Sequence, residues 1–353
     1  MSLGCGRRGQ KVGTTDTAFV TFLGRPYLTP SGLGLSWLGA GARIAHSGRT
    51  LRATLAPAAS AFKLTYSQSN SGAMHYEGNA WVAASAASET VTLANGGGTV
   101  DVMLNMPPQY FEASTWNATI VSFTTDGTFL PAPAPPSRRM HVLGDSITAS
   151  TNIHGGTAGC GDEGFEADYS NSWAGLLCLF FDASCSTIAV GGKCLLDECG
   201  GTQMQEYYRR ARMVDAGPTY NFSSSPPPSV FALYLGTNDA RLNNWPQFTR
   251  EALGFMGNVT RNYYPGANIT FLLILGPMAP TAPAAALVSA VAQGTAAGFR
   301  VALVNASAAC GADLSGCKDG CATHPGVGSH REIARAVAPV LADVMGWPLP
   351  GHL

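Results

Sequence analysis

The chain is 353 residues long, more than one hydrophobic core ordinarily serves, so two domains are expected. Only 12% of the residues are charged, against 42 Gly and 22 Pro, the net charge is −1, and Lys occurs just four times. This balance fits weakly charged, loop-rich globular domains and excludes a basic groove for nucleic acid or a polybasic membrane patch, both of which need clustered Lys and Arg. The longest apolar runs, such as 271–275, fall far short of the ~20 residues that span a bilayer.

Along the first 130 residues, runs with period-two alternation lie at 33–37, 50–55, 61–66, 89–93, 99–104 and 119–123, separated by Gly, Ser and Asn clusters. No helical period competes, which predicts an all-β sandwich. A proline-rich stretch at 131–138 reads as a stiff linker, placing the domains at 1–130 and 139–353. Beyond it, apolar runs ending at Leu143, Val190, Leu235, Leu275 and Val304 alternate with helical periodicity, as in Phe248, Ala252, Phe255 and Val259. A last helix carries Ile333, Val337, Leu341 and Val344 on one face, with Ser329 and Glu332 spaced as a capping box. Five strands alternating with helices predict an α/β fold: a five-stranded parallel sheet with helices on both faces and a ligand crevice at the carboxyl ends of its strands.

Eight of the nine cysteines lie between Cys160 and Cys321, and Asn-x-Ser/Thr acceptors occur at Asn117, Asn221, Asn258, Asn268 and Asn305. Together they predict a secreted, disulfide-bonded and glycosylated protein. Residues 1–13 hold no apolar stretch of signal-peptide length, so a leader is expected to lie outside this sequence. Cys178 with Cys185, and Cys310 with Cys317 or Cys321, are plausible bridges, but eight cysteines allow about 105 pairings and spacing does not choose among them.

The predicted strand ends converge on one chemistry. Ser146 follows the first strand, Gly192 the second, Asn238 the third, and His324 precedes the last helix. Serine becomes a useful nucleophile when an imidazole takes its proton, and the resulting oxyanion needs fixed donors. The Ser146 and Gly192 N–H groups and the Asn238 side-chain amide would supply three. Taken singly, Ser146 reads as a capping serine, Asn238 as a turn residue and His324 as a satisfied loop histidine; it is their arrival in sheet order that makes a site.

These blocks, Gly144-Asp145-Ser146, Gly192, Gly236-Thr237-Asn238-Asp239 and His324-Pro325, resemble those of the SGNH (GDSL-type) hydrolases. With Ser36-Trp37-Leu38-Gly39-Ala40-Gly41, Ser47-Gly48-Arg49-Thr50-Leu51, Tyr264-Pro265-Gly266 and Gly276-Pro277-Met278, the chain resembles carbohydrate esterase family 2 over nearly its whole length. The resemblance implies a flavodoxin-like SGNH domain behind an all-β, jelly-roll-like sandwich. It also implies a metal-independent serine esterase that removes O-acetyl groups from polysaccharides of xylan or glucomannan type, with no cofactor.

One position departs from the pattern. SGNH enzymes carry an Asp three residues before the His, and here that residue is Cys321; the Asp of family 2 two residues before the His is Ala322. A Ser–His dyad whose imidazole is oriented by a main-chain carbonyl is the first expectation, and Asp319 is the second candidate for that role. Asp145 and Asp239 are read as loop-fixing carboxylates. Cys317, Cys321 and His324 have zinc-like spacing but no evident fourth ligand, so no metal is expected. Trp245 and Trp173 are candidates for stacking on a sugar ring and equally for the core.

The resulting expectation is a secreted, monomeric acetylesterase acting on acetylated poly- or oligosaccharide, with no nucleic-acid or membrane partner. Two alternatives stand beside it: a sugar O-acetyltransferase on the same fold, and a carbohydrate-binding protein whose hydrolase domain has decayed. A lipase is disfavoured, because no long apolar lid is apparent.

Overall fold

A computed structural model of the chain describes residues 9–69, 75–106, 118–154, 167–199, 201–213, 219–278, 281–307, 319–321, 324–349 and 351. These residues divide into two compact units, one up to Pro135 and one from Pro136.

The first unit carries β1 (Gln10–Gly13), β2 (Val20–Leu23), β3 (Tyr27–Thr29), β4 (Gly32–Leu35), β5 (Gly41–His46), β6 (Thr50–Leu55), β7 (Phe62–Ser69), β8 (His75–Val82), β9 (Glu89–Asn95), β10 (Gly98–Met106) and β11 (Ala118–Thr125). They form two antiparallel sheets, ordered β3-β4-β11-β6-β9 with β1 also on β11, and β2-β5-β10-β7-β8. Alternation sets the buried face: in β6, Leu51, Ala53 and Leu55 are buried while Arg52 is exposed. Sequence patterning missed β5 because Arg43 interrupts its apolar run, yet all six residues are buried. Burial of that arginine is compensated by Asp101, its cross-strand partner in β10, which accepts from Nε and Nη2 at 2.7 and 2.8 Å.

The second unit alternates β12 (Arg138–Gly144), α1 (Trp173–Phe180), β13 (Ala183–Ala189), α2 (Met204–Arg209), β14 (Val230–Tyr234), α3 (Trp245–Asn258), β15 (Thr270–Leu275), α4 (Ala284–Ala296), β16 (Arg300–Asn305) and α5 (Val327–Met345). The five strands form one parallel sheet in the order β13-β12-β14-β15-β16. Every residue of β14 and β15 is buried, as expected of central strands covered on both faces. Helices α1 and α5 pack together on one face. On the other, α3 packs on α4, and Tyr208 of α2 meets Phe255 of α3 edge-on with ring centroids 5.5 Å apart.

This strand order puts β13 on one side of β12 and β14 on the other, so the chain leaves β12 and β14 in opposite directions. The resulting crevice, at the carboxyl ends of the strands, is where ligands bind in open α/β sheets. No helix among the described residues is long and apolar enough to cross a membrane.

The capping box expected at Ser329 gives way to a different cap. Helix α5 begins three residues earlier than that box implies, at Val327, with Gly326 at the N-cap, and its exposed N–H groups turn to Asp319. The Asp319 carboxylate accepts from the Gly326 N–H at 2.6 Å, the Ser329 N–H at 3.2 Å and the Ser329 hydroxyl. A carboxylate seven residues upstream in sequence thus does what a local serine was expected to do.

Candidate active site

Ser146 lies in the turn after β12, almost buried, with its hydroxyl 3.0 Å from Nε2 of His324. The turn is held from within: the Ile147 N–H donates to Asp145 Oδ1 at 3.0 Å and the Thr151 N–H to the Ser146 carbonyl at 3.0 Å. Ser150 and Asn152 both take left-handed backbone conformations, with φ of 59° and 55°. That bend brings the Asn152 carbonyl to the Cys321 N–H at 2.9 Å, so the serine loop and the histidine loop share a hydrogen bond.

The histidine loop is closed by backbone hydrogen bonds among its described residues. His324 donates its N–H to the Cys321 carbonyl at 3.0 Å, and Gly320 donates to the His324 carbonyl at 3.0 Å. Gly320 is required there: a Cβ would stand 2.6 Å from the His324 oxygen and 2.7 Å from that of Asn152. Burial works to raise the Asp319 pKa, but the hydrogen bonds from Ser329 and Gly326 outweigh it and the net shift is downward. On α5, His330 is fully buried and its Nδ1 accepts the Trp173 N–H at 3.2 Å. Desolvation holds its pKa down at about 3, with opposed smaller effects from the Asp319 charge and from His324.

Two donor-bearing loops follow the strands on either side of β12. Gly192, beyond the end of β13, has φ of 73°, and a Cβ there would meet nothing within 4 Å, so its backbone faces open space. Among the described residues, the N–H groups of Ser146 and Gly192 make no hydrogen bond. Asn238 follows β14, half-buried, and its Nδ2 donates to the Lys193 carbonyl at 3.0 Å and lies 3.5 Å from Asp145 Oδ2. Asp239 accepts from the N–H groups of Leu195 and Leu196 at 3.4 and 3.0 Å. Both carboxylates therefore hold loops, and both are pushed up by burial: Asp145 to about 7, helped by the nearby Asp239 charge, and Asp239 in the same direction.

Of the residues expected from sequence, Ser146 and His324 lie within hydrogen-bond distance of each other. Gly192 and Asn238 lie on adjoining loops at the same edge of the sheet. The Asp319 carboxylate spends both oxygens at the start of α5. Trp173 does not fit the sugar-stacking expectation: it is fully buried in α1, its ring 5.7 Å from that of Tyr234. Trp245 is half-buried at the start of α3, with Nε1 donating to Asn243 Oδ1 at 2.8 Å. Cys321 is in a disulfide and so has no thiolate to offer a metal; Cys317 and Cys310 lie outside the described residues. The expected bridge Cys178–Cys185 is present, joining α1 to β13.

Sequence reasoning passed over three residues beside the donors: Cys194 and Cys199, which form a disulfide, and Arg241. The Arg241 guanidinium donates to the carbonyls of Asn238 and Gly192 at 3.3 and 3.5 Å. The signal was present, since the Cys-x4-Cys spacing begins two residues after Gly192.

No protein-family model matches the chain, and no curated protein matches its sequence. Solved structures do match its fold. A family two carbohydrate esterase from Clostridium thermocellum, in complex with cellohexaose, superposes with a TM-score of 0.77 at 20% identity, covering 93% of this chain and 100% of that one. An acetyl xylan esterase from the rumen bacterium Butyrivibrio proteoclasticus gives 0.78 at 15% identity, over 96% of this chain and 100% of that one. A salicylyl-acyltransferase from a tetracycline biosynthetic pathway gives 0.64 at 14% identity, over 96% of this chain and 99% of that one. The same architecture thus hosts ester hydrolysis and acyl transfer elsewhere. From its β-sandwich through its parallel SGNH-type sheet, this chain has the fold of the family two carbohydrate esterases.

Proposed function

We propose that the chain is a carbohydrate esterase that removes O-acetyl groups from a poly- or oligosaccharide, with Ser146 as nucleophile and His324 as its base. The observation that carries this reading is the 3.0 Å approach of the Ser146 hydroxyl to His324 Nε2 at the sheet's switch point. The unclaimed N–H groups of Ser146 and Gly192 and the nearby Asn238 amide support an oxyanion site.

On this reading Ser146 Oγ attacks the acetyl carbonyl carbon while His324 Nε2 takes the hydroxyl proton. The carbonyl's electron pair moves onto its oxygen, which the three donors hold. The intermediate collapses, the sugar–oxygen bond to the acyl carbon breaks, and the imidazolium returns its proton to the departing sugar hydroxyl. A water then attacks the acetyl-serine by the same two steps and acetate leaves. The expectation of a secreted, glycosylated protein is supported by the disulfides Cys178–Cys185 and Cys194–Cys199 and by the exposure of Asn221, Asn268 and Asn305. Division of labour at the 131–138 stretch, with the sandwich at 1–130 and the catalytic domain at 139–353, belongs to the same proposal.

The deciding experiment is acetate release from acetylated xylan and acetylated glucomannan by the wild type beside Ser146→Ala, each with and without EDTA. The reading expects release that persists in EDTA and disappears in the variant. Transfer of acetyl to an added sugar in preference to water would instead make the chain a transferase. Glycan retention without ester cleavage would make it a binding protein.

A further inference from the structure

We propose that the Cys194–Cys199 disulfide is a positioning element of the oxyanion site, holding the Gly192 N–H in register with the Asn238 amide. The inference rests on the esterase reading and adds a requirement to it. Gly192 leaves the end of β13 on a left-handed, exposed backbone, and a Cβ there would meet nothing within 4 Å, so packing on that side does not fix its direction. What fixes it comes from the residues that follow and from the Asn238 loop. Two positions on, Cys194 is closed by its disulfide onto Cys199. Within that ring, the Leu195 and Leu196 N–H groups both point at the carboxylate of Asp239, the residue next to Asn238.

Three more contacts bind the same two loops. Asn238 Nδ2 donates to the Lys193 carbonyl at 3.0 Å, Cys199 Sγ lies 3.7 Å from the Asn238 carbonyl oxygen, and Arg241 bridges the Gly192 and Asn238 carbonyls. The ring therefore turns Gly192 to Cys199 and Asn238 to Arg241 into one body carrying two of the three donors. Donors stabilise an oxyanion only when they are fixed before it forms, and a displacement of about 1 Å is enough to cost much of the rate. Stabilisation of the whole fold is the weaker account of this bridge, because cross-links over short separations restrict the unfolded chain least. Cys178–Cys185 supplies the control: its sequence separation of 7 is close to the 5 of Cys194–Cys199, but it joins α1 to β13 and touches neither donor loop.

The test compares two double variants, Cys194→Ser/Cys199→Ser and Cys178→Ser/Cys185→Ser, with the wild type. Hydrogen exchange of residues 190–196 is measured in each, with kcat and KM for an acetylated sugar. The expected result is that the first variant loses exchange protection at 190–196 and about 10-fold or more in kcat, with KM within about two-fold. The second variant should keep kcat within about two-fold of the wild type. Unchanged exchange at 190–196, unchanged kcat, or an equal kcat loss in both variants overturns the inference. A wild type without esterase activity sinks the esterase reading instead, and the exchange of 190–196 alone then decides whether the bridge fixes the loop. Should the first variant fail to fold, Cys194→Ala/Cys199→Ala, which leaves no hydroxyl at the buried Cys194 position, takes its place with the same readings.

Discussion

The two sides of the candidate site are fastened by different chemistry. On the Ser146 side, loops from three adjacent strands are held by two buried carboxylates, Asp145 and Asp239, whose pKa values burial has raised. On the His324 side, one loop is held by a solvent-reached carboxylate, Asp319, whose pKa its hydrogen bonds have lowered. The first arrangement depends on sheet register and on carboxylates buried beneath the loops. The second depends on a helix cap that can be removed without opening the core, so substitutions should separate geometry made by packing from geometry made by a few hydrogen bonds.

The largest effect is expected where the proposed proton transfer is removed altogether. His324→Ala should lower kcat on acetyl esters by on the order of 10⁴-fold or more with its melting temperature nearly unchanged, as a steady-state assay beside a thermal melt would show. Retention of a tenth of the activity would mean that another group takes the serine proton. Next comes the oxyanion side: Asn238→Ala should cost about 10²- to 10³-fold in kcat with a small change in KM. A rise in KM at constant kcat would make Asn238 a substrate-binding residue instead.

Asp319→Asn distinguishes cap from catalytic partner. An amide keeps one acceptor for the α5 N–H groups, so loss of the cap should cost about 1 kcal/mol in stability and only a few-fold in kcat. Were Asp319 the group that orients the imidazole, the same change would cost roughly 10⁴-fold by favouring the wrong tautomer. The size of the rate loss, read against the melting temperature, thus separates the two roles.

How far these features were legible in the sequence depended on whether their cause was local. Strands β6, β14 and β15 announced themselves because alternation or continuous burial is written directly in residue order. Strand β5 did not, because the residue that makes Arg43 tolerable is Asp101, 58 positions away. Strands β1 to β3, of four, four and three residues, are too short for any period to register. At the site, Ser146, Gly192, Asn238 and His324 were found from their places after strands, which sheet topology converts into proximity. Asp319 was weighed as an imidazole partner rather than as a cap, because the local Ser329–Glu332 spacing offered a nearer explanation of the helix start. Trp173 could not be assigned to core or cleft by type, and only its packing against Tyr234 decided it.

The predicted effects that carry no rate signature are in stability against pH, where the two sides of the site should pull in opposite directions. Asp145 binds its proton up to about pH 7 when folded, against an ordinary 3.8. Between those values the folded chain holds more protons than the unfolded one, so this group makes stability fall as pH rises from about 4 to 7. His330 releases its proton at about 3 when folded, against an ordinary 6.5. Here the unfolded chain holds more protons, so this group makes stability rise as pH rises from about 3 to 6.5. From about pH 4 to 6.5 the two slopes oppose, and the wild-type profile should be flatter than either alone. Urea unfolding at a series of pH values resolves them: Asp145→Asn should gain on the wild type as pH rises through 4 to 7, and His330→Gln should gain on it as pH falls through 6.5 to 3. If both difference curves are level, neither group is held in the unusual protonation state that its burial imposes, and the packing on the two sides of the site is looser than their hydrogen bonds require.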